Sequence, residues 1–129
     1  MHRPFLLAAL LIPSLVLAQD KPEDWPEGSA MNTGLTANVR FEKADKELNV
    51  TYQRILKNLP ADQNDDYPRK TLITAQREWV KYRDASCDLV GEISGGVRMW
   101  KSAYNSICRA DMTEERTKEL VKLFEDSGN

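Results

Sequence analysis

The sequence predicts an all-α protein, a small bundle of three to four helices held together by one disulfide. Apolar residues recur at helical spacing in each long segment, and no segment shows the alternation expected of a strand. Two cysteines, Cys87 and Cys108, remain once a predicted export signal is removed. The chain of 129 residues is long enough for one domain, which we expect to span residues 33–129.

Residues 1–18 have the features of a secretory signal peptide. His2 and Arg3 give a polar, positively charged start, and a 14-residue apolar run follows from Phe5 to Ala18. This run is shorter than the about 20 residues that a transmembrane helix needs. We therefore expect cleavage after Ala18 and a periplasmic or secreted protein without a membrane span. A buried N-terminal helix is the alternative.

Residues 19–32 are predicted to form a flexible acidic leader. Prolines, Gly28 and acidic residues alternate there without a helical or a strand period. Trp25 is the one aromatic residue of this segment, and its ring could contact another surface. Its ring either anchors a contact with a partner or packs on the domain's own surface.

The first helix is expected to begin at a cap, Asn32 or Thr33, and to end at Leu59 because Pro60 stops it. Its apolar stripe repeats every three or four residues, as a buried helical face requires. The residues of this stripe are Phe41, Ala44, Leu48, Tyr52, Ile55 and Leu59.

A polar loop, residues 61–67, follows the first helix and carries Asp62, Asp65 and Asp66. Carboxylates are the ligands that calcium prefers, but the loop lacks the glycine and the terminal glutamate of an EF-hand. We therefore expect a solvated acidic loop rather than a calcium site.

The second helix is expected to run from Pro68 to Val90, with Gly91 as its C-cap. One of its faces mixes an amide, an aromatic ring, a guanidinium and a thiol with aliphatic groups. The residues of this face are Leu72, Gln76, Trp79, Val80, Arg83 and Cys87. A buried arginine needs a carboxylate, and a buried thiol in an oxidising compartment needs a second cysteine, so this face predicts partners elsewhere in the chain.

The remainder is expected to form two shorter helices after a tight turn at Gly95-Gly96. The third helix is predicted from about Val97 to Arg109, and the last helix begins at Asp111 or Thr113. Trp100, Ala103, Tyr104, Ile107 and Cys108 lie on one side of the third helix.

Two sets of residues are predicted to pair across helices. Cys87 and Cys108 are expected to form a disulfide worth about 3 kcal/mol in the chain-entropy model; two free thiols or an intermolecular bridge are the alternatives. Asp45 is the best partner for Arg83, and Asn49 could likewise meet Gln76. The four polar residues would form a polar lock that fixes the register of the first two helices, or else a notch that binds a ligand.

The residue types present exclude most catalytic devices. The only histidine, His2, leaves with the signal, and both cysteines are expected to be oxidised. Carboxylate pairs remain, but no motif singles one out, so we expect a protein that is not an enzyme and needs no cofactor or metal. The formal net charge of −2 argues against nucleic acid as a partner.

The run Gln-Arg-Glu-Trp-Val-Lys-Tyr-Arg-Asp-Ala-Ser-Cys, from Gln76 to Cys87, is the most specific motif of the chain. Further matching residues are Ala44, Asp45, Leu48, Asn49, Tyr52, Leu72, Ala75, Gly95, Gly96, Cys108, Thr113, Arg116 and Leu120. Over about residues 40–124 the chain resembles the lysozyme inhibitor LprI family of small exported bacterial proteins. The resemblance implies a small helical exported domain that inhibits lysozyme. The chain departs from the family pattern before the first helix, where it has no further cysteine pair.

The resemblance makes an inhibitor that covers a lysozyme cleft the first functional hypothesis. Arg98, Trp100 and Lys101, which follow the glycine pair, would form a cationic and aromatic finger; alternatively Trp100 lies in the core and the two cations are solvated. The second hypothesis is an envelope stress or toxin-immunity protein that binds another exported protein.

Overall fold

A computed structural model describes residues 19–59 and 67–126 of the chain. A short 3-10 helix at Pro22–Asp24 comes first, and no strand occurs among these residues. Three long helices follow: α1 (Ala30–Asn58), α2 (Tyr67–Ile93) and α3 (Arg98–Asp126). The prediction of an all-α bundle with three to four helices is confirmed.

Helices α1 and α3 run parallel and are closely packed. Gly34 near the start of α1 lies against Ala103, and further along the guanidinium of Arg40 meets the carboxylate of Glu114 at 2.6 Å. Small residues allow this approach, because Ala37, Ala44, Ala103 and Ala110 are all buried between long helices.

Helix α2 runs antiparallel to α3. Cys87 is joined to Cys108, and one end of the same interface pairs Gln76 with Arg116. The backbones of α1 and α2, by contrast, scarcely approach each other. Contact between these two helices therefore depends on long side chains.

The apolar core lies at the end of the bundle opposite the α2–α3 turn. Leu48, Ile55 and Leu120 are buried at its centre. The side chains packed around them are Tyr52, Leu59, Leu72, Trp79 and Phe124. The end that carries the α2–α3 turn contains mainly small buried residues, so its larger apolar side chains are left at the surface.

The predicted start of the first helix is wrong by three or four residues. Ser29 is the N-cap, and its side chain accepts a hydrogen bond from the backbone N–H of Asn32. Asn32 itself lies inside α1, where its amide donates to the carbonyl of Pro22 at 2.9 Å. The leader is thus fastened to the helix at one point, and the predicted domain boundary at residue 33 falls within α1.

The predicted end of the second helix is also wrong, because Gly91 lies inside α2 and is buried. A Cβ atom at Gly91 would stand 2.8 Å from the carbonyl oxygen of Lys101. Glycine is present there because α2 and α3 approach closely, and no helix end is needed to explain it.

The predicted break between a third and a fourth helix does not occur, since α3 is continuous from Arg98 to Asp126. Residues that resembled caps have other partners. Asp111 pairs with Arg40 at 2.7 Å, and the hydroxyl of Thr113 donates to the carbonyl of Arg109 one turn back. A side chain that bonds within its own helix leaves the backbone helical.

Two parts of the prediction lie outside the described residues: the signal peptide at residues 1–18 and the aspartates of the acidic loop, Asp62, Asp65 and Asp66. Within residues 19–59 and 67–126, no helix combines the length and the apolar character that crossing a membrane requires.

Candidate functional site

The disulfide between Cys87 and Cys108 is present, with the sulfurs 2.06 Å apart, and the predicted pairing is confirmed. Cys87 is completely buried, and the thioether of Met112 packs 3.6 Å from its sulfur. Because the bond joins the C-terminal third of α2 to the N-terminal half of α3, it fixes the register of these two helices.

Arg83 is buried in the middle of the bundle, with its side chain 5% exposed. Its Nε donates to Oδ1 of Asp84 at 2.9 Å, and its Nη1 donates to the hydroxyl of Thr113 at 3.2 Å. Oδ1 of Asp45, the predicted partner, lies 3.5 Å from the same Nη1. The guanidinium thus meets two carboxylates, and the one next to it in sequence is closer.

Aromatic rings enclose the same guanidinium. Its carbon lies 5.0 Å from the ring centre of Phe41 and 5.3 Å from that of Trp79. Arg109 lies over Phe41 at 4.5 Å, and Arg116 lies over Trp79 at 5.6 Å. We call these five residues the arginine–aromatic stack. Each cation–π contact contributes about 0.5–2 kcal/mol, and the stack links all three helices where the backbones of α1 and α2 stay apart.

The amides predicted to complete the polar lock have other partners. Asn49 donates to Oδ2 of Asp45 at 3.2 Å. The side-chain oxygen of Gln76 accepts a hydrogen bond from Nε of Arg116, also at 3.2 Å. Asn49 therefore supports a carboxylate of its own helix, Gln76 supports a guanidinium of α3, and the predicted contact between Asn49 and Gln76 is replaced by these bonds.

Sequence reasoning missed Arg109 and Arg116 as members of the stack. The signal was their spacing of seven residues, which places both on one face of a helix, but the predicted helix break after Arg109 separated them. The sequence analysis also missed Asp84. Its Oδ1 accepts a hydrogen bond from Arg83 and lies 3.3 Å from Nη2 of Arg109.

The turn between α2 and α3 depends on two glycines. Gly95 and Gly96 have φ angles of 75° and 87°, which other residues rarely adopt. Trp100 packs against Gly96 and its ring stacks on Tyr104 with centroids 5.8 Å apart. Trp100 is half-buried, so within the predicted finger it supports the turn.

The two cations of the predicted finger differ in their surroundings. Nζ of Lys101 lies 2.6 Å from a carboxylate oxygen of Glu92, so the charge of this lysine is compensated. Arg98 is exposed, and it takes part in no ion pair within the part of the chain that the structure describes. Arg98 is therefore the member of the finger that remains available to a partner.

Three large apolar residues lie within five positions of Arg98 at this end of the bundle. Ile93 and Val97 are 72% and 67% exposed, and Met99 is exposed as well. We call these three residues the apolar tip. Sequence reasoning missed them, although apolar residues beside a glycine turn and off the core-facing stripes were a usable signal.

Two shallow hollows meet at Arg98. One of about 270 Å³ lies between the starts of α1 and α3, and Gly34 and Ser102 line it. The other, of about 460 Å³, lies between α2 and α3 and includes Asn105. Arg98 and Ser102 line both, so the cation stands where the two hollows join.

The sequence matches the family described as lysozyme inhibitor LprI over residues 26–120. The chain belongs to this family. It is also 33% identical over 119 residues to an uncharacterized protein of Rhizobium meliloti (strain 1021), covering 86% of this chain and 85% of that protein. No solved structure matches the chain significantly.

The matched residues of this LprI-family protein include the arginine–aromatic stack, the disulfide and the apolar tip. Both cysteines are bonded to each other, so neither is a nucleophile. Among the described residues, no three or more acidic, cysteine or histidine side chains are grouped as a metal site would require. At the α2–α3 turn, Arg98 and the apolar tip are exposed.

Proposed function

We propose that the protein is an exported, non-catalytic lysozyme inhibitor that acts by covering the cleft of a muramidase. The observation that carries this proposal is the match to the lysozyme inhibitor LprI family over residues 26–120. Export is supported by the signal-like residues 1–18 and by the disulfide, since such bonds persist in oxidising compartments.

Inhibition by coverage fits the chemistry of the side chains. The chain has one histidine, His2, and it lies in the proposed signal peptide. With no histidine and no thiol in the exported form, the usual acid, base and nucleophile devices are missing. An inhibitor without chemistry of its own must act by occupying the site.

The proposed contact region contains Arg98, Trp100 and Lys101. In this arrangement Arg98 contacts the enzyme, Trp100 supports the turn from behind, and the ion pair of Lys101 with Glu92 borders the contact. Arginine and tryptophan are among the residues enriched at binding hot spots.

The test is a cell-wall lysis assay with several lysozyme types and increasing amounts of the purified protein. We expect inhibition of at least one type that is reversible and reaches completion near one inhibitor per enzyme. Added salt should slow association if the acidic charge of the inhibitor steers it toward a basic enzyme. No inhibition of any type at several-fold molar excess would contradict the proposal and favour an envelope or toxin-immunity partner.

A further inference from the structure

We infer that the apolar tip and Arg98 together form the surface that enters the muramidase cleft, with the guanidinium placed against the catalytic carboxylates. This inference rests on the proposed function. It names the contacting groups and the chemistry that they recognise: an acidic site with apolar walls.

The state of Arg98 is the first argument. Among the described residues, Arg40, Arg83, Arg109 and Arg116 each contact a carboxylate. Arg54, Arg77 and Arg98 are in no ion pair of these residues, and of the three it is Arg98 that lies beside the α2–α3 turn. The two carboxylates that line a hollow with Arg98 have other partners, since Asp88 accepts from Asn105 and Glu92 pairs with Lys101. The charge of Arg98 is therefore available to a carboxylate from outside.

The second argument is the position of the apolar tip. Ile93 and Val97 lie on either side of a turn of three residues, and Met99 follows directly after Arg98. An unpaired cation and three exposed apolar residues thus lie together in the sequence at the α2–α3 end of the bundle. Exposed apolar groups that surround one polar anchor are typical of a contact that excludes water.

The third argument is complementarity to the active sites of glycoside hydrolases. Such sites hold a pair of carboxyl groups on the two sides of the scissile bond, and the acid is often kept in an apolar pocket. A guanidinium can bind a carboxylate through two parallel hydrogen bonds. Apolar side chains beside it would contact the walls of the cleft.

The experiment compares variants of the tip with matched variants elsewhere. Arg98→Ala is matched by Arg77→Ala, because Arg77 is an exposed arginine of α2 outside any ion pair of the described residues. The double variant Ile93→Ser, Val97→Ser is matched by Val50→Ser, Leu123→Ser, since Val50 and Leu123 are 64% and 63% exposed.

The inhibition constant is measured against a muramidase that the wild-type protein inhibits. We expect Arg98→Ala and the double variant of the tip to raise it by about tenfold or more, as hot-spot residues do. Both matched controls should stay within about twofold of wild type. Unchanged far-UV circular dichroism and an intact disulfide show that each variant is folded, and Arg98→Lys should recover part of the loss.

A double-mutant cycle tests the partner group directly. The second enzyme form carries glutamine in place of its catalytic glutamate, and binding is measured for wild type and Arg98→Ala against both forms. We expect Arg98→Ala to weaken binding to the intact enzyme by about fivefold more than to the glutamine form.

The outcomes separate the two proposals. If the wild-type protein inhibits but the tip variants inhibit equally well, or the cycle shows no coupling, the inference is overturned and the proposed function stands. If the wild-type protein inhibits no muramidase, the proposed function fails and the inference fails with it.

Discussion

Arg83 and Arg98 belong to the same three-helix bundle, and their surroundings are opposite. Arg83 is buried between two carboxylates, a hydroxyl and two aromatic rings. Arg98 is exposed, with no ion pair in the described part of the chain, and exposed apolar residues are its neighbours in the sequence. The two arginines are therefore distinguished by the number of partners that the same chain supplies to each, and the residue type alone does not indicate their roles.

The physical reason is the cost of desolvation. A guanidinium removed from water must regain its lost interactions within the fold, so the chain supplies partners to Arg83 from all three helices. A guanidinium exposed to water needs no partner from the fold. Its bound water can be exchanged for a carboxylate of another molecule. The charge at the centre of the bundle is thus compensated within the fold, whereas the charge of Arg98 is left to the solvent.

The largest effect is expected at the centre. Arg83→Ala should lower the free energy of unfolding by about 3 kcal/mol, at the low end for a broken buried ion pair. The low end applies because Asp45 and Asp84 are 42% and 44% exposed, so water can reach the carboxylates left behind. Urea denaturation followed by circular dichroism measures the change.

The matched variant at the other end of the bundle is Arg98→Ala. We expect it to change the free energy of unfolding by no more than about 0.5 kcal/mol. Equal changes in the two variants would remove the distinction between a structural and an available arginine. A structural determination that separates Arg83 from Asp84 and Asp45 would contradict it as well.

Loss of the disulfide is expected to have an effect similar in size to that of Arg83→Ala. Replacing Cys87 and Cys108 by serine should lower the free energy of unfolding by about 3 kcal/mol, the chain-entropy value for a loop of this length. Because the bond joins α2 to α3, it also holds the turn between them in place. We therefore expect the serine variant to inhibit less well at temperatures near its unfolding midpoint. Two titratable thiols in wild-type protein purified from the periplasm would contradict the bonded state.

Two helical glycines sharpen the comparison through their packing. A Cβ at Gly91 would collide with the backbone carbonyl of Lys101, so Gly91→Ala should destabilise the protein by about 2 kcal/mol. A Cβ at Gly34 would make an ordinary 3.6 Å contact with Ala103. Gly34→Ala should therefore stabilise the protein by up to about 1 kcal/mol, because alanine favours the helix. Thermal unfolding of both variants distinguishes a required glycine from a tolerated one, and the same sign for both would contradict the packing at Gly91.

The sequence was sufficient for the fold class, the disulfide and the importance of the mixed face of α2. Each of these depends on periodicity or on residue types that cannot be buried alone, such as the guanidinium of Arg83. The helix ends were harder to predict. In the sequence, Gly91 has the features of a C-cap. The structure shows that α2 continues past it, and the close approach of α3 explains why this position is a glycine.

The candidate site was predicted less completely, for a related reason. Arg98 and Lys101 are equivalent cations in the sequence, and it is the position of Glu92 on a neighbouring helix that compensates one of them. Trp100 likewise had two interpretations, and its contact with Tyr104 favours a supporting role. Exposure and pairing are tertiary properties, so no local pattern reports them.

A small loss of stability is expected at Arg40, on the surface between the two ends. Its hydrogen bonds to Glu114 and Asp111 raise the pKa of Arg40. The bond that Arg40 donates to Glu114 lowers the pKa of the Glu114 carboxyl. A lowered pKa in the folded state means that this stabilisation is complete above the unfolded pKa of glutamate, about 4.3, and is lost as the pH falls through the folded value.

Because the side chains of Arg40 and Glu114 are 44% and 35% exposed, we expect Arg40→Gln to cost only about 0.5–1 kcal/mol near pH 7. The difference from wild type should shrink as the solution is acidified below about pH 4 and when salt is added. Urea denaturation across this pH range measures it, and a difference that grows on acidification would show that the pair acts with the opposite sign.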